Sequence, residues 1–246
     1  MKVWKALFIK ELRLGGPASL TFLMTELIMV LIGGFFAIRD HNYQYIPIIG
    51  IMLLFCHGLY LFLYLLVTLN VERKTLHLWL YHPLPGWALL AAKLLAALVS
   101  MLVSFVLTAS FTLIGIESSD FQVMGFGGKH YIGMDVFTTF FIFWMSLFVG
   151  MVFIFLWVLF YCLRSRLGKW AWLITIAIAA AVIFLYSSLE NKGQLKSITH
   201  WGYLRFQWST DSYSTIYIGG FVFQSLVVII LFVLSSYLLD RFMEVS

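Results

Sequence analysis

The fold class this sequence predicts is an all-α integral membrane protein: six transmembrane helices, an N-terminal amphipathic helix in the interface, and a short cytoplasmic helix between spans two and three. Two observations of composition and one of spacing predict it. Of 246 residues, 62% are hydrophobic and 11% charged, where soluble domains carry about 25% charged residues. Mean hydropathy is +0.97. The apolar residues also fall into six runs, 19–38, 45–69, 87–116, 136–163, 170–186 and 216–239, and a helix needs roughly 20 apolar residues to cross the hydrocarbon core. No hydrophilic stretch between them approaches domain size. Residues 1–246 therefore read as a single transmembrane domain, with no room for a soluble catalytic or nucleotide-binding domain.

Residues 1–16 place Val3, Ala6, Leu7, Ile9, Leu12 and Leu14 among Lys2, Lys5, Lys10, Glu11 and Arg13, an imperfect helical stripe. Gly15, Gly16 and Pro17 are expected to end it. A basic amphipathic helix suits the inner interface and anionic headgroups. It serves either as a topological anchor alone or also as a contact for a cytoplasmic partner. No small-residue cleavage pattern follows the first apolar run, so a removable signal peptide is not expected.

In the first span Glu26 follows Thr21 and Thr25. A carboxylate at that depth is costly, and it is normally paired or turned to a cavity. It reads either as part of a translocation surface or ion path, or as an interhelical hydrogen-bonding site. Arg39 and Asp40 close the span, where charged groups reach headgroups. The second span holds His57 beside Cys56 and Gly58, with no second His or Cys at helical ligand spacing. His57 therefore reads as a packed polar residue, and no metal site is expected. Cys56 lies mid-membrane and Cys162 at a membrane edge, depths that a disulfide does not join.

The insert between spans two and three, Asn70 to Lys93, is the most informative part of the chain. Asn70 can cap a new helix with Glu72 near the positive end of its dipole. Leu76, Trp79 and Leu80 share one face, Pro83 and Pro85 end it, and Lys93 opens the third span within snorkelling reach of the interface. A short charged helix with a bulky aromatic, wedged between two lipid-compatible runs, is where the chain meets a soluble partner.

Glu72, Thr75, Leu76, Trp79, Leu80, Pro83 and Lys93 together resemble the first cytoplasmic loop of ABC-2-type transporter permeases. There the pattern is roughly an acidic residue, Gly-Thr-Leu, two apolar residues, Pro, and a Lys opening the third span. The likeness extends to Lys10-Glu11-Leu12 before span one and to the six-span layout. Lys74 stands where the family has Gly, and Leu84, Pro85 and Gly86 replace small polar residues after the proline. The resemblance implies a permease subunit of an ABC transporter, with export as the expected direction. The coupling helix would run over Glu72 to His82, with Glu72, Arg73, Lys74, Thr75, Leu76, Trp79, Leu80 and Pro83 at the ATPase interface. It further implies ATP and Mg on a separate ATPase dimer, none on this chain, and a second permease subunit, identical or related. The sequence contains no GxxxxGK[ST] motif.

The basic residues orient the chain. With the N-terminus inside and six spans, Lys2, Lys5, Lys10, Arg13, Arg73, Lys74, Lys93, Arg164, Arg166, Lys169 and Arg241 fall on the cytoplasmic side, and Arg39, Lys129, Lys192, Lys196 and Arg205 outside. Both termini are expected to be cytoplasmic, in the cell membrane. The net charge of +5 is dispersed along inner membrane edges, which suits anionic lipid and not nucleic acid. Residues 164–169 are too short for a second coupling helix. Gly33-Gly34 and Gly219-Gly220 allow close helix approach. The outer segment 187–215, with Trp201, Tyr203, Leu204, Phe206 and Trp208, suits an interfacial or re-entrant element that either seals the bundle or gates release.

Two other function classes follow from the same residues. An intramembrane enzyme acting on lipid or peptide would need Glu26 and His57 to converge, since no HExxH, GxSxG or Asp-rich motif is present. A non-transporting immunity or sensor protein would not need the Glu72–Pro83 insert to touch an ATPase.

Overall fold

The computed structural model describes residues 2–72, 84–118, 132–209 and 212–242. The described backbone is overwhelmingly helical: α1 (Lys2–Arg39), α2 (Tyr45–Cys56), a 3-10 turn (His57–Leu59), α3 (Tyr60–Glu72), α4 (Gly86–Ser118), α5 (Ile132–Leu167), a second 3-10 turn (Gly168–Trp170), α6 (Ala171–Asn191), a one-turn α7 (Lys196–Thr199), a hairpin of β1 (Tyr203–Ser209) and β2 (Ser212–Tyr217), and α8 (Ile218–Phe242). Among the described residues, five helical segments are long and apolar enough to cross a membrane: Trp4–Arg39, Tyr45–Glu72, Gly86–Ile116, Phe137–Asn191 and Ile218–Arg241. The chain is a multi-pass helical membrane protein.

One local expectation is corrected, and two segments take a more detailed form. The expected break at Gly15, Gly16 and Pro17 does not occur, because α1 runs through all three. Gly15 is a packing notch, since a Cβ there would stand 1.7 Å from the Tyr64 hydroxyl oxygen. Pro17 cannot supply a backbone hydrogen bond. Nearby hydroxyls engage the local carbonyls, with Ser19 donating to Gly16 O at 3.0 Å and Thr21 to Pro17 O at 2.8 Å. The second run is not one regular helix: it tightens into the 3-10 turn at His57. The segment 187–215 contains a short helix and most of a hairpin. Tyr203 pairs with Tyr217 and Arg205 with Thr215, with an irregularity between Gln207 and Ser209. Gly202, at φ 61°, turns the chain there, and its carbonyl accepts the Ile218 N–H at 2.7 Å to start α8.

The fourth candidate span covers 55 residues. As one straight helix it would measure about 80 Å, well over twice the ~30 Å hydrocarbon core. Gly168, at φ 55°, breaks it between α5 and α6.

The backbone packs as two compact units, Met1–Thr75 with Leu89–Gly150, and Leu76–Ala88 with Met151–Ser246. In the first, Leu61, Leu65, Leu90, Ala96 and Met101 are fully buried. Close helix approach depends on small residues: a Cβ on Gly50 of α2 would come 2.3 Å from Thr112 Oγ1 of α4. The opposite face of α1, with Leu20, Met24, Leu27, Ile28 and Leu31, is exposed, as a lipid-facing surface should be. In the second unit Ile154, Val158, Ala171 and Leu239 are buried. There Asp240 of α8 accepts the Gly86 N–H at 2.7 Å, placing a carboxylate at the N-terminus of α4, where free N–H groups and the dipole favour it.

Candidate functional site

In the first unit three helices face one another along a seam that holds the polar residues of their spans. On α1 its residues are Glu11, Gly15, Ser19, Phe22 and Glu26. From the 3-10 turn through α3 they are His57, Tyr60, Tyr64, Thr68 and Glu72, and on α4 they are Lys93, Ser104 and Thr108. Residues spaced this way lie along one face. Phe22 and Tyr60 rings meet at 4.7 Å, and the Tyr64 hydroxyl sits in the Gly15 notch. The seam extends about 22 Å along α1 from Glu11 to Glu26, most of a hydrocarbon core. Each end carries a different ionisable cluster.

At the first end the Lys93 ammonium lies 2.5 Å from Glu11 Oε2 and 2.8 Å from Glu72 Oε2. All three side chains are almost completely buried. Lys10, about half exposed, approaches Glu11 Oε1 at 3.8 Å and Glu72 Oε1 at 3.7 Å. Two lysines and two glutamates sum to zero charge, the condition under which burying charge is tolerable. Lys93 and Lys10 both approach Glu72 and offset its buried carboxylate.

This corrects two expectations. Asn70 does not cap a new helix; it lies inside α3. Lys93 does not snorkel, because it is fully buried and the two carboxylates satisfy it in place. Arg73, Lys74, Thr75, Leu76, Trp79, Leu80 and Pro83 lie outside the described residues.

At the other end the structure brings Glu26 and His57 together. His57 Nε2 lies 3.4 Å from Glu26 Oε1 and 3.1 Å from Ser104 Oγ, and Ser104 Oγ makes a very short hydrogen bond with Glu26 Oε1. The 3-10 turn arranges this. The backbone N–H of His57 bonds Leu54 O, three residues back, while its ring Nδ1 bonds the Leu53 carbonyl at 2.8 Å. The Leu61 N–H, just past the turn, donates to Ser146 Oγ of α5 at 3.1 Å. Tyr60 stacks on the imidazole at 5.8 Å and Phe105 meets it edge-on at 5.5 Å. Ser104 is fully buried and His57 nearly so.

Sequence reasoning singled out Glu26, His57 and Glu72, and did not place Ser104, Tyr60 or Tyr64. The available signal was the occurrence of polar residues within otherwise apolar spans. No three His, Cys, Asp or Glu side chains converge as a metal site among the described residues. In the second unit a cavity of about 530 Å³ at the α5–α6 turn is lined by Phe160, Arg164, Gly168, Lys169 and Trp172.

No protein-family model, no curated protein and no solved structure matches this chain.

Proposed function

We propose that this chain is the membrane permease subunit of an ABC transporter of the ABC-2 type, moving its substrate, by export, through alternating access driven by a separate ATPase dimer. The observation that carries the reading is the buried Glu11–Lys93–Glu72 junction. The resemblance rests on the N-terminal Lys10-Glu11-Leu12, on the acidic residue at the head of the insert, and on the lysine opening the next span. Those three places meet at one point, at the root of residues 73–83. An insert anchored there on α1, α3 and α4 at once can pass a push from a soluble motor to three helices. Arg73, Lys74, Thr75, Leu76, Trp79, Leu80 and Pro83 form the ATPase-facing part, and Glu72 anchors it from within.

Six spans belong to this reading, with both termini cytoplasmic in the cell membrane. The Gly86–Asp240 hydrogen bond supports the count. It holds the start of α4 and the end of α8 on one side, which requires an even number of crossings between them. Counting α5 and α6 as separate spans, divided at Gly168, meets that requirement; a single crossing by the 55-residue run does not. Arg164, Arg166 and Lys169 then face anionic lipid of the inner leaflet, and a second permease subunit completes the pathway.

The intramembrane-enzyme alternative gains one observation, the convergence of Glu26, His57 and Ser104. The order of contacts disfavours it. A hydrolytic triad needs the carboxylate on one imidazole nitrogen and the nucleophile on the other. Here both meet Nε2, Nδ1 is committed to a backbone carbonyl, and the Ser104 hydroxyl is sealed from substrate.

The test is to isolate the full tagged chain from its native membrane in mild detergent and assay Mg-dependent ATP hydrolysis. Activity that accompanies the wild type and is released by Trp79→Ala, with the chain still folded, supports the reading. No ATPase with the wild type contradicts it.

A further inference from the structure

We infer that Glu26, Ser104 and His57 form a proton-binding site inside the membrane, holding one proton shared between the carboxylate and the imidazole through the serine hydroxyl. The inference comes from counting donors and acceptors and is independent of the ATPase reading. Nδ1 of His57 faces the Leu53 carbonyl at 2.8 Å. A carbonyl only accepts, so Nδ1 carries a hydrogen. Nε2 faces Ser104 Oγ at 3.1 Å, and the same Oγ faces Glu26 Oε1. Ser104 has one hydrogen for these two contacts. If it donates to Glu26, Nε2 must donate to Ser104, and the ring is an imidazolium beside a carboxylate. If it donates to Nε2, Glu26 must donate to Ser104, and both groups are neutral. An ionised Glu26 with a neutral His57 leaves two lone pairs facing each other in a dry site, where an unmade hydrogen bond is costly.

The two permitted states hold the same number of protons and interconvert without gain or loss. The Glu26 O–H proton passes to Ser104 Oγ as the Ser104 proton passes to Nε2, and the reverse step restores the first state. Both are neutral overall, which is why the site can stand in a membrane span while Lys10 and Lys93 are needed to balance Glu11 and Glu72. The groups around it are Phe22 of α1, Tyr60 of α3, Phe105 of α4, and Phe143 of α5, whose ring meets Phe105 edge-on at 5.0 Å. Glu11, Glu72 and Lys93 stand about 16 Å away along α4. Glu26 Oε2 and the Tyr60 hydroxyl make no hydrogen bond among the described residues, and Glu26 retains 14% exposure.

The experiment uses the full chain in nanodiscs at neutral pH, with two readouts. The infrared difference between wild type and Glu26→Gln reports how much of Glu26 is a protonated carboxyl. The histidine nitrogen NMR difference between wild type and His57→Gln reports how much of His57 is imidazolium, among six histidines in the chain. The two fractions should add to about one proton per chain. Ser104→Thr should keep that total, and Ser104→Ala should reduce it to less than about half. Should Glu26→Gln not fold, Glu26→Asp replaces it, since a shifted carboxyl band identifies the group equally well. A total near zero, with ionised Glu26 and neutral His57 in one sample, overturns the inference. So does a total that Ser104→Ala leaves unchanged. Both signals are read on the isolated chain, so neither result depends on whether an ATPase binds.

Discussion

The two ends of the buried seam solve one problem in opposite ways. At Glu11, Glu72 and Lys93, charges are neutralised by opposite charges brought from three helices at 2.5 and 2.8 Å. At Glu26, Ser104 and His57, a carboxylate and an imidazole meet through a hydroxyl, and one proton does the neutralising. The first arrangement is rigid, since removing any member leaves an uncompensated charge. The second holds two states of equal charge without moving a helix. A junction that must transmit force calls for the first; a site that passes a proton between two groups calls for the second.

The largest effect should come from breaking the ionic junction. Lys93→Met leaves Glu11 and Glu72 buried side by side and should cost about 3–5 kcal/mol, read as a lowered unfolding midpoint in detergent. The triple variant Glu11→Gln, Glu72→Gln, Lys93→Met should recover most of that loss, because buried ion pairs are often replaceable by neutral groups. A triple variant as unstable as the single one would show that the cluster stabilises by shape and not by charge balance.

The seam's closeness is the next thing to break. Gly15→Ala puts a Cβ into the space of the Tyr64 ring and should cost about 1–3 kcal/mol, and Tyr64→Leu in the same chain should relieve it. A double-mutant cycle on thermal stability checks this, and additive effects would separate α1 from α3. Ser146→Ala removes the acceptor for the Leu61 N–H beside the 3-10 turn and should cost about 0.6 kcal/mol, the average for interhelical hydrogen bonds in membranes. Hydrogen exchange at Leu61 should rise with it. Smallest is Lys10→Ala. Its side chain is about half exposed, so the loss should lie within about 0.2–1 kcal/mol and shrink as salt is added.

Much of this was legible in the sequence because bilayer thickness is a strong constraint. Apolar run lengths marked the chain as a helical, multi-pass membrane protein, and Glu26, His57 and Glu72 were singled out simply because polar groups inside apolar runs are expensive. The partners were not legible. Lys93 meets Glu11 across 82 positions and His57 meets Ser104 across 47, and no local rule pairs them. Gly15–Pro17 looks like a helix stop because glycine and proline stop helices in water. Inside a packed bundle the same Gly15 is the space a neighbour's ring requires. Asn70 looks like a helix start for a similar reason: cap chemistry is local, whereas the lysines that meet Glu72 come from α1 and α4. The hairpin at 203–217 was hidden by aromatic residues that suit an interfacial helix and a strand alike.

The central claim is that the insert, rooted in the Glu11–Lys93–Glu72 junction, engages a soluble ATPase. Its most direct test is Mg-dependent ATP hydrolysis in the chain purified from its native membrane, compared between the wild type and Trp79→Ala at equal thermal stability. The account predicts hydrolysis that travels with the wild type and is lost from Trp79→Ala. Hydrolysis absent from the wild type, or retained in full by the variant, would contradict it.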